Sequence, residues 1–268
     1  MLNDFLPIRK SILMKDHPDG ITVVPLSDAH YGSQEFNEVK WHNAIKRIQD
    51  DPDCYCILVG DLIDNGLKNS VTNVYEQTAT PRQQKEWLYH ELQPIRDKVL
   101  CAVGGNHERR SIKDADIDPL YDVMARLGIE HLYRQRIAFF AISFDYECAV
   151  GKKSRAVFSF AVTHGSGGGQ YIGSSANRVE RYGQIIEGLD CLITGHTHKP
   201  VTFPVSKLVF DTHAKTVKQK QFAVVVASSF LDYGGYAVEK LLTPTAATLT
   251  EIQLDCNADS EKYLRVLQ

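Results

Sequence analysis

The chain has 268 residues, 43% of them hydrophobic and 24% charged, with a formal net charge of -3. This is ordinary globular composition, with enough length to bury a sizeable core. The mild excess of acid argues against a protein that coats nucleic acid by surface charge alone, and no apolar run approaches the roughly 20 residues that a membrane-spanning helix needs.

The opening M-L-N-D-F-L-P-I-R-K has no long apolar core behind a basic start, so no signal peptide and a cytoplasmic location are expected. The predicted elements then follow in order. I-T-V-V-P-L-S-D (21–28) is a short apolar run that ends in polar residues, the pattern of a buried strand. Residues 36–50 predict a helix through Val39, Ala44, Ile45 and Ile48. C-I-L-V-G-D (56–61) repeats the strand pattern and is followed by a long polar loop over 66–80, of the kind that often carries function. Pro81 favours the first turn of a helix over 81–98 through Trp87, Leu88, Leu92 and Ile95, with Pro94 set to bend or break it. V-L-C-A-V-G-G-N (99–106), F-S-F-A-V-T-H (158–164) and C-L-I-T-G-H (191–196) are three more such strands, with helices expected at 117–127 and 174–187.

Alternating strands and helices predict an α/β layered domain, with functional groups at the carboxyl ends of the strands. The last third changes character. Residues 205–230 resemble a hairpin and 246–254 alternate like a half-exposed strand, which suggests a second, more antiparallel sheet packed on the first. No linker separates the parts, so one domain over 1–268 is expected. The six cysteines are Cys54, Cys56, Cys101, Cys148, Cys191 and Cys256; they form no CxxC pair and several lie inside strand-like runs, as reduced core residues do.

Each of the five strands ends in groups with chemistry. They are Asp28-Ala29-His30, Gly60-Asp61-Leu62-Ile63-Asp64, Gly105-Asn106-His107-Glu108, His164-Gly165 and Gly195-His196-Thr197-His198. Imidazole, carboxylate and amide oxygen together suit divalent ions such as manganese, iron, zinc or cobalt. The lack of thiolates argues against a structural zinc knot. So many ligands are too many for one ion and suit two, with one carboxylate bridging.

These motifs, D-x-H, G-D-x-x-D, G-N-H-E, H-G and G-H-x-H in this order from 28 to 198, resemble the calcineurin-like metallophosphoesterase superfamily. The resemblance implies a four-layer α/β/β/α sandwich with two mixed sheets and a dimetal site at the strand carboxyl ends. It assigns Asp28, His30 and His198 to one ion and Asn106, His164 and His196 to the other, with Asp61 bridging. His107 would not be a ligand. It would face the substrate and stabilise or protonate the leaving oxygen, with Asp64 as its partner. The implied cofactors are two divalent ions, manganese first, with iron, zinc, cobalt, nickel and magnesium as alternatives. The implied reaction is hydrolysis of a phosphate ester by a metal-bridging hydroxide.

Ser/Thr protein phosphatases of this superfamily carry an arginine where this chain has Asn65, which argues against that branch, although Glu108 leans towards it. The second histidine of G-H-T-H is that of the phosphodiesterase branches, which include the Mre11-like nucleases. T-H-G-S-G-G-G, G-H-T-H-K-P and S-S-F-L-D-Y-G-G-Y-A resemble the DNA-repair-exonuclease-like phosphoesterases of phages and prophages. A phosphodiesterase acting on nucleic acid or nucleotides is therefore expected, with DNA or a nucleotide as partner and no membrane. The alternatives are a phosphomonoesterase, a cyclic-nucleotide phosphodiesterase and a metal-binding scaffold without catalysis. Arg109 and Arg178 are candidates for contact with substrate, among the four arginines Arg109, Arg110, Arg178 and Arg181 near the motifs. Tyr75 and Tyr171 could stack on a base.

Several stretches have plainer readings. Asp211-Thr212-His213 repeats D-x-H but reads as exposed strand. Asp114, Asp116 and Asp118 hint at a calcium loop, yet Pro119 and Ala125 stand where its glycine and glutamate belong. The glycine-rich 165–170 lacks the lysine of a P-loop and reads as a flexible edge of the site. Glu108 could serve only to hold its loop.

Overall fold

Alternation of buried and exposed side chains builds two six-stranded sheets. In chain order the strands are β1 (Ile8–Leu13), β2 (Ile21–Leu26), β3 (Cys54–Leu58), β4 (Val99–Val103), β5 (Tyr133–Arg134), β6 (Ile137–Cys148), β7 (Gly151–Thr163), β8 (Cys191–Thr194), β9 (Val201–Asp211), β10 (Thr216–Val226), β11 (Glu251–Cys256) and β12 (Lys262–Leu267). The helices are α1 (Glu38–Asp50), α2 (Pro81–Leu92), α3 (Glu108–Ala115), α4 (Pro119–Arg126), α5 (Ile172–Ile185) and α6 (Gly235–Glu239). The computed structural model describes residues 4–68, 70, 74–148, 151–167, 171–244, 248–257 and 259–268. Parts of three expected segments lie outside the described residues: 69 and 71–73 of the polar loop, 168–170 of the glycine-rich stretch, and 246 and 247 of the late strand.

One sheet runs β12-β11-β2-β3-β4-β5 and the other β1-β6-β7-β8-β10-β9. Both are mixed. In the first, β2, β3, β4 and β5 are parallel and β11 lies antiparallel between β2 and β12; in the second, β7, β8 and β10 are parallel and β9 returns antiparallel. Successive residues of β3 serve opposite faces: Cys54, Cys56 and Leu58 pack under helices, while Ile57 and Val59 face the other sheet. The layers are therefore α1, α2 and α4, then the two sheets face to face, then α5 over Leu192, Phe222 and Val224. This is the α/β/β/α sandwich with two mixed sheets that the motifs implied.

A second sheet packed on the first is found, but the last third does not build it alone. The β9–β10 hairpin extends the sheet of β7 and β8, while β11 and β12 extend the sheet of β2. The physical reason is pairing: β8 offers parallel partners to Ala223–Val226, and β2 offers an antiparallel edge to Ile252–Leu254. The distal half of the hairpin, beyond Phe222, pairs only within itself.

The helices follow local chemistry. Asn37 caps α1 through Lys40 N (2.8 Å), and Thr80 with Gln83 forms a capping box ahead of Pro81 in α2. Pro94 ends α2, as its missing N–H requires, and the chain continues as a 3-10 helix over Gln93–Lys98. The buried stripe of α1 is Trp41, Ala44, Ile45 and Ile48; Val39, counted in it from the sequence, is 72% exposed. Among the described residues no helix is long and apolar enough to cross a membrane.

Candidate active site

The five polar strand ends meet at one edge of the sandwich, three from one sheet and two from the other. After β2 and β3 the two chains stay zipped: Asp28 N donates to Gly60 O (3.1 Å), His30 N to Asp61 O (3.0 Å) and Tyr31 N to Leu62 O (3.1 Å). Gly60 adopts φ +84, and a Cβ there would lie 2.5 Å from Gly105 N. A Cβ on Gly105 would lie 2.1 Å from Asp61 Oδ1. Glycine at both positions lets the β3 and β4 loops touch.

Glu108 locks that contact. Its buried carboxylate accepts from Asp61 N (2.9 Å), Leu62 N (2.8 Å) and Gly105 N (2.9 Å). Burial and the neighbouring Asp61 charge push its carboxyl up, and these backbone donors hold it back. The reading of Glu108 as a loop holder fits this geometry.

Three groups of ligand atoms converge: Asp28 with His30 and His198; Asp61 with His164 and His196; and His30 with Asp64 and His107. In the first, His198 Nε2 lies 3.1 Å from Asp28 Oδ1 and 3.1 Å from His30 Nε2. In the second, His164 Nε2 lies 3.1 Å from Asp61 Oδ2, 3.1 Å from Asn106 Oδ1 and 3.2 Å from His196 Nδ1. His164 Nδ1 donates to Val59 O (2.7 Å), which turns Nε2 inward as the atom a metal would take. Asp61 Oδ2 also lies 3.8 Å from His30 Nε2, so this one carboxylate stands between the two groups. Oxygen and nitrogen ligand atoms crowded this closely suit divalent cations. The donor set therefore fits two ions, and the assigned ligands Asp28, His30, Asp61, Asn106, His164, His196 and His198 are all brought together.

The electrostatics carry the same signature. Burial alone would push the carboxyl of Asp28 up, yet His198 and His30 hold it well below the usual range. Burial likewise opposes the low value of Asp61, which His164 and His107 bring about. Burial would lower His30 and His164, but the surrounding aspartates raise them to about 10 and about 9 in the metal-free protein. Burial and the nearby His164 lower His196.

The backbone here is strained. Asp28 (φ 52), His30 (φ 49), Asp61 (φ 52), His196 (φ 70) and His198 (φ 55) are all left-handed, a conformation that costs a non-glycine residue about 1–2 kcal/mol.

His107 and Asp64 sit across from the ligands. His107 Nδ1 lies 2.7 Å from Asp64 O and 3.2 Å from Asp64 Oδ1. Burial opposes the lowered carboxyl of Asp64, which its hydrogen bonds from His107 and His30 bring about. Asp64 Oδ2 is buried with no hydrogen-bond partner among the described residues. Asp64 Oδ1 also approaches His30 Nδ1 (3.9 Å), so His107 and Asp64 touch the ligand shell.

The expected substrate arginines differ in placement. Arg109 Nε turns back to Gly105 O (2.9 Å), and Arg178 on α5 donates to Ser166 O (2.7 Å). Arg110, one of the four arginines noted near the motifs, reaches His107 Nε2 (3.0 Å) and Asp64 O (2.8 Å). Its signal was spacing: it lies three residues after His107 on α3, a helix not anticipated at 108–115. Asn65 is buried and pins α3, donating from Nδ2 to His107 O (2.7 Å) and accepting from Ser111 Oγ (3.0 Å). Tyr75 and Tyr171 are 93% and 69% exposed.

The plainer readings are also placed. Asp211 closes the hairpin turn, accepting from His213 N and Ala214 N. Asp116 ends α3 in a left-handed conformation and Asp118 caps α4, so neither belongs to a calcium loop.

The family model for calcineurin-like phosphoesterases matches residues 21–200, the span that holds all the assigned ligands with His107 and Asp64. Among solved structures, the chain is similar to a metallophosphoesterase from Sphaerobacter thermophilus, with 10% identity and TM-score 0.40 over 92% of this chain and 89% of that one. It is also similar to Vps29 from Chaetomium thermophilum, with 8% identity and TM-score 0.39 over 93% of this chain and 95% of that one. No curated protein matches the sequence.

Proposed function

The chain belongs to the calcineurin-like phosphoesterase family, and from that premise we propose that it is a metal-dependent phosphodiesterase acting on nucleic acid or nucleotides. The observation that carries the reading is the pairing of two ligand groups through Asp61 with His107 poised beside them. Asp28, His30 and His198 would hold one ion and Asn106, His164 and His196 the other. Such ions polarise a phosphoryl oxygen and activate water at neutral pH.

The chain's own groups do the rest. Asp61 aligns the loops, accepting from His107 N (2.8 Å) through Oδ1 while Oδ2 faces the ligand groups. Asp64 fixes the His107 ring through its carbonyl, and its carboxylate stands ready to balance a charged imidazole. His107 Nε2 lies 3.8 Å from Asp61 Oδ2 and would meet the leaving oxygen as the P–O bond breaks. Diester is favoured over monoester because position 65 carries a neutral amide, tied to His107 O and Ser111 Oγ, where an arginine would add a fixed cation for a dianion.

The test compares bis(p-nitrophenyl) phosphate with p-nitrophenyl phosphate after EDTA treatment and manganese add-back. Manganese-dependent cleavage favouring the diester is expected. Preference for the monoester overturns the diester assignment in favour of a phosphatase. No turnover with any of several divalent metals overturns the enzyme reading in favour of a scaffold.

A further inference from the structure

We propose that Arg110 is the arginine that grips the substrate's phosphate, and that its contact with His107 is a resting position which the phosphate replaces. The inference rests on the phosphoesterase reading and adds a binding group to that site.

The geometry begins with helix α3. The β4 loop delivers His107, and Glu108 starts the helix. Arg110 therefore lies on the His107 side, three residues on. Its Nη1 donates to Asp64 O (2.8 Å), the same carbonyl that holds His107 Nδ1. Its Nη2 lies 3.0 Å from His107 Nε2. The guanidinium thus sits on the one ring nitrogen that the leaving oxygen must reach. Both cannot occupy that atom at once.

Two further observations argue against a merely structural arginine. The scaffolding of this loop is already provided by Asn65, which ties His107 O to Ser111 Oγ, and by Glu108. A single ring nitrogen is also a weak partner for a guanidinium compared with a phosphate, which accepts two parallel charge-assisted bonds. An arriving phosphate would draw the guanidinium from Nε2 to its own oxygens. The Nη1 bond to Asp64 O can persist as a pivot. His107 Nε2 is then uncovered for the leaving oxygen, so one side chain both binds the anion and clears the ring.

The test measures inorganic phosphate binding to the manganese-loaded protein by isothermal titration calorimetry, with metal content checked on the same samples. Arg110→Gln should weaken phosphate binding roughly 10- to 100-fold and raise KM for the diester similarly, with metal content unchanged. Arg110→Lys keeps the charge without the fork and should fall between the two. Phosphate affinity and KM within twofold of wild type in both variants overturn the proposal. If Arg110→Gln fails to fold, Arg110→Lys decides alone: at full metal content, at least a fivefold loss of phosphate affinity supports the assignment and wild-type affinity ends it. The two readings fail separately. A wild-type protein that binds phosphate through Arg110 but cleaves neither ester sinks the enzyme reading only. A wild type that cleaves the diester, with Arg110 variants that bind phosphate equally well, sinks the arginine only.

Discussion

Both oxygens of the Glu108 carboxylate are taken by backbone N–H groups of two separate loops. An amide in its place has one accepting oxygen and turns an NH2 towards the remaining donors. Glu108→Gln should therefore destabilise the protein by about 1–3 kcal/mol and lower metal occupancy, because one of the N–H groups it holds is that of Asp61. Thermal melts with metal analysis check this; an unchanged melt and full occupancy would remove Glu108 from the scaffold. His107 gives the opposite expectation. His107→Ala should keep both metals and lose about 10²- to 10⁴-fold in turnover. Loss of metal from that variant would make His107 a ligand, a result its proximity to His30 (3.3 Å between Nδ1 atoms) makes worth measuring.

Elements divide the hairpin into two unlike halves. Phe222 of β10 is buried beneath α5, whereas Phe210 of β9, beyond the last β8 partner, is 68% exposed. Phe222→Ala should cost about 3–5 kcal/mol, while Phe210→Ser should shift the melting temperature by no more than about 1–2 °C. Equal effects from the two would show that the distal half packs against something further. The sequence displayed β2, β3, β4, β7 and β8 clearly, because each is a short apolar run broken by glycine or a polar residue. It did not display α3, whose residues Glu108–Ala115 are highly charged and which is held by tertiary bonds from Asn65 and Glu108 rather than by an apolar stripe. The ligand groups were legible for the same reason the strands were: each stands at the point where an apolar run stops. The separation of those strands into two sheets was hidden, since pairing between β2 and β11 or β8 and β10 spans distances in the chain that no local pattern encodes.

At the scale of the whole molecule the site is also a clasp. His164, after β7, donates to Val59 O beside β3, and His196 N, after β8, donates to the carboxylate of Asp28 after β2 (2.9 Å). Each bond crosses between the sheets. Metal removal should therefore loosen the sandwich as well as stop hydrolysis, and the metal-free protein should be sensitive to alkali. His30 and His164 are raised to about 10 and about 9, above the ordinary histidine value near 6.5. Groups raised in the folded state contribute stability that is whole below about pH 6.5 and is lost as pH climbs through about 9 and 10. The EDTA-treated protein should thus melt progressively lower between pH 7 and 10. A flat profile over that range would contradict the charged state assigned to these rings.

The left-handed backbone at Asp28, His30, Asp61, His196 and His198 also bears on heredity. Glycine, and asparagine with its short side chain that bonds locally, visit that conformation routinely. A copy of this gene freed from selection for hydrolysis would therefore find relief, not damage, in losing a ligand. His196→Asn should raise the melting temperature of the metal-free protein by about 2–4 °C while reducing the stabilisation that metal confers. If the substitution lowers that temperature instead, the strain is not what limits the fold. On this view the ligands persist only where the reaction is still needed, and drift at these positions would mark the moment a descendant abandoned it.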